Sequence, residues 1–175
     1  MLLREATLKD VPVIARVHVD TWQTTYRGIV PDSYLAQLSY EKRERGWEEI
    51  LRSAKDTQQF TYVAVDALGQ IVGFANGGLE RTGNPIYKGE INAIYILKTH
   101  QRHGIGYRLF MVLLKRLAQT DIHSMLVWVL ADNSACRFYE ALGGQKVYEK
   151  QIERGNTQLN EIAYGWMDTR VQFGY

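Results

Sequence analysis

The chain has 175 residues, roughly one domain's worth, and a composition of 46% hydrophobic and 23% charged residues with 15 Gly and 3 Pro excludes disordered, collagenous and low-complexity classes. Lys and Arg number 21 against 19 Asp and Glu, a net charge of +2. That is too little for a nucleic-acid binder defined by bulk charge, so no nucleic-acid partner is expected and any anion site must be local.

Leu2 to Ala6 reads as a short strand, and Arg4, Glu5, Lys9 and Asp10 stand where a leader needs an apolar run. Thr7 or Asp10 is a helix N-cap, followed by an apolar stripe at Val13, Ile14, Val17 and Trp22. A loop at Arg27 to Pro31 leads to a second helix near Asp32 or Ser33, with Tyr34, Leu35 and Leu38 apolar. Glu41 to Arg52 is a charged helical stretch buried through Trp47, Ile50 and Leu51. Phe60–Asp66 and Ile71–Leu79, joined by a turn containing Gly69, form an antiparallel hairpin, and Gly73, Gly77 and Gly78 point to a bulge or a close backbone approach.

After a loop over Arg81 to Lys88, the segment Glu90 to Leu97 is apolar on both faces from Ala93 onward, as in a central strand. Ile105, Leu109, Leu113 and Leu117 stripe a helix over Gly104 to Gln119, and Met125 to Leu130 is another buried strand far below membrane-spanning length. Strand, helix, strand in that order is a crossover, so these two strands are expected to be parallel. Asp132 or Asn133 caps a helix ending at Gly143-Gly144. Lys146–Ile152 and Leu159–Met167, joined through Arg154-Gly155-Asn156, close the chain as a hairpin. The prediction is one α+β domain, sandwich-like, over residues 1–175.

Cys136 is the single cysteine, which precludes an internal disulfide and suits a reducing cytoplasm. His18, His100, His103 and His123 show no HExxH spacing, so no metal is expected, and no membrane partner either. Gly104 and Gly106 in Gln101-Arg-His-Gly-Ile-Gly106, between a buried strand and a helix, let backbone approach a ligand, and the amides opening the helix suit a pyrophosphate. The turn lacks the GxxxxGK[ST] of a Walker loop, and Leu109 stands where a dinucleotide fingerprint needs a small residue. Lys98, His100, Arg102, His103 and Arg108 make the surroundings of this turn basic.

Gln101, Gly104 and Gly106 together resemble motif A (Q/R-x-x-G-x-G/A) of the GNAT superfamily of acetyl-CoA-dependent N-acetyltransferases. Asn133, Phe138, Tyr139 and Gly143 resemble its second signature, N-x-x-A-x-x-F/L-Y-E-x-x-G-F, and the element order follows the family layout over essentially the whole chain. Two departures stand out: Gly144 replaces an aromatic, and Cys136, read as packing, replaces alanine. The resemblance implies a mixed, mostly antiparallel seven-stranded sheet flanked by helices, with splayed parallel strands 4 and 5.

It further implies that acetyl-CoA is the co-substrate. Ile94, Tyr95 and Ile96 would meet its pantetheine arm through their backbone, with the Ile94 amide polarising the thioester. Residues 101 to 106 (Gln101, Arg102, His103, Gly104, Ile105 and Gly106) would hold the pyrophosphate, with Asn133 supporting the arm. Glu90 would be the general base and Tyr139 the acid that protonates the departing thiolate. The family's acceptor site falls at Trp22 to Pro31, which brings in Trp22 and Tyr26, with His18 one turn earlier. The expected partner is a small-molecule amine, with a homodimer possible. Acidic lining would favour a polyamine or aminoglycoside. Acetylation of a protein N-terminus or lysine, and an acyl-CoA sensor without turnover, are the alternatives.

Overall fold

The computed structural model describes residues 1–174. Its elements are β1 (Leu2–Glu5), α1 (Val11–Thr25), α2 (Asp32–Ala36), α3 (Tyr40–Thr57), β2 (Gln59–Val65), β3 (Ile71–Leu79), β4 (Gly89–Ile96), α4 (Ile105–Ala118), β5 (Met125–Leu130), α5 (Cys136–Ala141), β6 (Gln145–Arg154), β7 (Thr157–Trp166) and α6 (Thr169–Phe173). The strands form a seven-stranded sheet in the order β1-β2-β3-β4-β5-β7-β6. Every pairing is antiparallel except β4 with β5. The expected mixed sheet with its parallel crossover is what the chain builds.

Helix α1 starts where Pro12 tolerates the first turn and the Asp10 carboxylate organises the entry. That carboxylate accepts from the Thr7 amide at 2.8 Å and is gripped by Arg4 through two bonds of 2.8 Å. The Arg4 guanidinium holds Asp10 down at about 2. The buried face runs through Val11, Ile14, Ala15, Val17, His18 and Thr21, whereas Val13, expected on the stripe, is turned outward. In α3 the Ser39 side chain accepts from the Lys42 amide at 3.3 Å. The helix runs on to Thr57, stopped by Gln58 at φ 50°, and Trp47 is its one buried residue. Helix α2 ends at Ala36, so Leu38 lies beyond it.

Two apolar layers sandwich the sheet. Leu109, Phe110, Leu113 and Leu117 of α4, with Tyr139 of α5, cover one face, and Val11, Ile14, Val17 and Trp47 cover Val63, Val65 and Phe74 on the other. A third cluster joins Tyr26, Val30 and Leu35 to Leu130, bridging the loop after α1 to the far half of the sheet.

The strand β4 changes course at Asn92. Pairing with β3 skips this residue, going from Ala93↔Asn76 to Ile91↔Gly77. Ile91 consequently packs on the α4 face while Ala93 packs on the α1 face, which a regular two-residue alternation forbids. Pairing with β5 stops at the same place, after Gly89↔Met125, Glu90↔Leu126 and Ile91↔Val127. From Trp128 to Leu130 strand β5 pairs only with β7. The bulge thus parts the two parallel strands, and Ile94 to Ile96 keep β3 as their single neighbour. The expected bulge is present, with its extra residue on β4 opposite the glycines.

Other expectations need correction. The helix after β5 begins at Cys136 instead of following an Asp132 or Asn133 cap, because residues 132–135 form turns in which Asn133 Oδ1 accepts from the Ala135 amide at 2.9 Å. The aromatic missing at Gly144 is supplied from β7. A Cβ there would lie 2.7 Å from the Trp166 ring, and Trp166, buried, donates to the Leu142 carbonyl at 2.9 Å. Strands β6 and β7 extend to Arg154 and Thr157, so the hairpin turn is Gly155-Asn156, both at positive φ as a two-residue turn requires. Helix α6, capped by Asp168, carries no strong apolar period and was not expected.

Candidate active site

The parting of β4 from β5 opens one edge of β4 and ends at the glycine turn. Arg102 and Gly104 both take positive φ, 66° and 74°, folding the chain back into α4. None of the amides of residues 102–104 donates to a backbone carbonyl, and the first turn of α4 adds its own free amides. Gln101 Nε2 donates to the Ile96 carbonyl at 2.9 Å, fastening the turn to the end of β4. A Cβ at Gly104 would meet nothing within 4 Å, so the turn faces open space, while Gly106 packs on Ile96 and Phe138. Backbone donors with no acceptor, at the positive end of a fourteen-residue helix, have the chemistry that suits an anion.

Three phenols converge where the strands part. Tyr139 on α5, Tyr95 on β4 and Tyr26 after α1 perturb one another's ionisation, and burial, the main cause in each case, raises all three above the ordinary phenol range. Each is therefore a neutral O–H donor at physiological pH. Asn133 lowers Tyr26 through its side chain and is itself buried. Tyr95 packs with the α1-face cluster and Tyr139 with the α4-face cluster, beside the stretch where the β4–β5 ladder is missing.

Glu90 is 2% exposed and sits at the last stretch of β4–β5 pairing. Arg81 clamps it, Nη2 to Oε1 at 2.6 Å and Nε to Oε2 at 3.0 Å. The partner is thus Arg81, in the β3–β4 loop, rather than the neighbouring Lys88. Arg81 also lines a cavity of about 560 Å³ on the α1 face of the sheet, between α1, α3, β3, β4 and Arg154 at the hairpin tip. Gly155 makes that closure possible: a Cβ would lie 2.9 Å from Tyr34, so the tip packs directly on α2.

The cavity wall is unusually aromatic and leaves polar atoms unpaired. His18 lies 4.9 Å from Tyr95 between ring centroids, and Trp22 lies 4.5 Å from Tyr26. Trp47 Nε1 donates to His18 Nδ1 at 3.1 Å, which leaves the ring proton on Nε2. Burial, and then the charge of Arg43, depresses His18 to about 3, so it stays neutral. Its Nε2 has no partner, and neither has Asn92 Oδ1, whereas the Trp22 side chain is turned to the Tyr95 hydroxyl. Among the described residues no group of three or more His, Cys, Asp or Glu side chains is placed to hold a metal. No described helix is long and apolar enough to cross a membrane.

The expected residues therefore fall into two groups around one strand. Residues 101 to 106, with Ile94 to Ile96, form the turn and its open edge; Trp22 and His18 line the cavity, with Tyr26 packed behind Trp22. Tyr139 and Asn133 stand at the parting, and Glu90 lies behind Arg81. Sequence reading missed Arg43, Arg81, Asn92 and Arg154, and the side chain of Tyr95. Asn92 alone left a signal, as an amide in an otherwise apolar strand.

A family model described as FR47-like protein matches residues 80–153, from the Arg81 loop through the glycine turn to β6. The chain is 40% identical over 166 residues to the uncharacterized N-acetyltransferase YuaI of Bacillus subtilis, spanning 95% of this chain and 92% of that protein. The PaiA N-acetyltransferase of Thermoplasma acidophilum, solved in complex with coenzyme A, shares the fold with a TM-score of 0.71 at 17% identity, over 94% of this chain and 98% of that one. So does yncA of Salmonella typhimurium, solved with its cofactor acetyl-CoA (TM-score 0.72, 18% identity, 95% and 93% covered). Fold, site and relatives define an acyltransferase. The chain belongs to the GNAT superfamily of N-acetyltransferases.

Proposed function

We propose that this chain transfers the acetyl group of acetyl-CoA to a primary amine of a small molecule by direct attack in a ternary complex. The observation that carries the reading is that one strand serves two spaces. Beyond the bulge, Ala93 and Tyr95 line the cavity, while Ile96 leads to the glycine turn and packs on Gly106. A cavity walled by two helices and a hairpin tip suits a small acceptor better than an extended peptide.

In this reading the free amides of the turn hold the pyrophosphate and the open edge of β4 from Ile94 to Ile96 pairs with the pantetheine arm. The Ile94 amide polarises the thioester carbonyl. An alkylammonium with a pKa of about 10 must shed a proton before it attacks, and Glu90 takes that proton through a water. The nitrogen adds to the carbonyl carbon, the tetrahedral adduct breaks its C–S bond, the thiolate takes the Tyr139 proton, and the Tyr139 phenolate is restored by the second proton shed from the acetylated nitrogen. Burial keeps the Tyr139 phenol protonated at neutral pH, so it is present as an O–H donor to the departing sulfur.

The test is free-thiol release from acetyl-CoA with a panel of amino acids, polyamines, aminoglycosides and short peptides, beside a calorimetric titration of acetyl-CoA alone. Release with a small amine is expected. Turnover confined to peptides would transfer the activity to protein acetylation, binding without release would indicate a sensor, and absent binding would overturn the reading.

A further inference from the structure

The cavity holds more unanswered donors than a site for a plain amine needs. Its lining carries three guanidiniums, Arg43, Arg81 and Arg154, against the single carboxylate of Glu80. Glu80 is already occupied by its own loop, accepting from the Thr82 amide at 2.9 Å, the Thr82 hydroxyl at 2.6 Å and the Asn84 amide at 2.7 Å. Arg81 is neutralised by Glu90. Neither Arg43 nor Arg154 forms an ion pair among the described residues. Arg43 stands over the Trp22 ring at 5.9 Å, its charge reaching His18, whose buried Nε2–H has no acceptor.

Buried donors without acceptors cost stability unless a ligand supplies the oxygen. A guanidinium with a neutral N–H donor beside it matches the planar or tetrahedral oxygens of an oxyacid. The opposite need is met on β4. Asn92 spends its amide protons on Gln59 Oε1 at 2.7 Å and Asn76 Oδ1 at 2.9 Å, and Asn76 is oriented by donating to the Phe60 carbonyl. The amide assignment of Asn92 is thereby fixed, and its unpartnered Oδ1 is an acceptor suited to an amine.

We propose that the acceptor is an amine that also carries an anionic oxyacid group, an amino acid or an aminoalkylphosphonate, with the anion held by Arg43 and His18 and the amine directed toward Asn92. This rests on the acetyl-transfer reading. It disfavours polyamines and aminoglycosides, whose extra positive charge would meet unpaired guanidiniums.

The experiment compares matched acceptors in the thiol-release assay: L-methionine, methioninamide and 3-(methylthio)propylamine, then 3-aminopropylphosphonate and propylamine. The anion-bearing member of each set is expected to exceed its neutral partners at least tenfold in kcat/KM. Arg43→Gln should lower that ratio at least tenfold, mainly through KM, and Arg43→Lys should recover part of it, with thermal melts confirming that both variants fold. Neutral amines matching or beating the anionic ones, or no release with any anion-bearing amine, overturns the inference. Calorimetry separates the two readings: if acetyl-CoA still binds and neutral amines turn over, only the anion subsite fails, whereas without acetyl-CoA binding both fail.

Discussion

The two ends of the site are made of different material. At the glycine turn the groups that face a ligand are backbone amides, held by two positive φ angles and one clamp from Gln101 to Ile96. In the cavity they are side chains from α1, α3, β4 and the β6–β7 hairpin. A backbone-built site tolerates side-chain replacement and fails when φ is forced; a side-chain site does the reverse. The same fold can therefore keep one co-substrate and exchange acceptors, because each end is altered by a different kind of substitution.

The largest effects are expected at the junction, where neither description applies alone. In the proposed reaction Tyr139 is the acid that protonates the leaving thiolate, so in Tyr139→Phe kcat should fall about 100-fold, within the usual range for general acid–base catalysis. The acetyl-CoA dissociation constant and the acceptor KM should both stay within about threefold. Unchanged turnover would remove Tyr139 from the chemistry. Glu90→Gln should cost a similar factor and flatten the rise of rate with pH, and an unaltered profile would assign proton removal to water or another residue.

The next effect separates the two ends by pH. His18 is depressed to about 3 from its ordinary 6.5 by burial. Between those values the unfolded chain binds a proton that the folded chain refuses, so stability is full above pH 6.5 and declines as pH falls. At pH 5 the loss from this one group is about 2 kcal/mol. The turn has no comparable buried histidine, since His103 is exposed and His100 only half-buried. Urea unfolding at pH 7 and pH 5 should show the loss, and His18→Phe should abolish most of the difference. An equal slope in that variant would place the acid sensitivity elsewhere.

At the other end, Gly104→Val forces a β-branched residue to φ 74°. Holding it there costs about 1–2 kcal/mol, or relaxes the turn and scatters its amides. Either way acetyl-CoA should bind about tenfold more weakly by calorimetry, with the acceptor KM little moved. A normal dissociation constant would show that the turn is not the phosphate cradle.

How much of this was visible in the sequence follows the same division. The turn occupies six consecutive residues whose types are set by backbone geometry, so Gln101, Gly104 and Gly106 announce it. Tyr139 and Asn133 are in a second contiguous stretch. The cavity draws on residues 18 to 154, and nothing local marks Arg43 or Arg154 as different from any surface arginine. Their meaning depends on the hairpin tip reaching α2, which in turn depends on Gly155 fitting against Tyr34. Element types followed from apolar periodicity, while the late start of α5 did not, because the Asn133 turn satisfies the same capping preference that begins a helix. The substitution at Gly144 looked like a lost anchor, and only tertiary packing shows Trp166 occupying its place.

The smallest effect tests whether the cavity's side chains depend on how α1 is docked. Arg4 on β1 holds Asp10 at the entry to α1 through two bonds of 2.8 Å, with Arg4 itself 40% exposed. Pairs of that exposure contribute about 1 kcal/mol or less. Arg4→Gln should therefore lower the melting temperature by only about 2–4 °C at pH 7. Because Asp10 stays ionised down to about 2, its contribution is present above pH 4 and lost as pH falls toward 2, starting only at the acid end of the His18 window. The wild-type acid unfolding curve should thus show a further loss below pH 4 that the variant lacks. If α1 is positioned by its apolar face, through Ile14, Val17 and Trp47 of α3, the acceptor KM and the acetyl-CoA dissociation constant will both be unchanged. A rise in acceptor KM alone would show that a shift at the start of α1 is transmitted two turns along to His18, making the cavity sensitive to distant packing in a way the backbone-built turn is not.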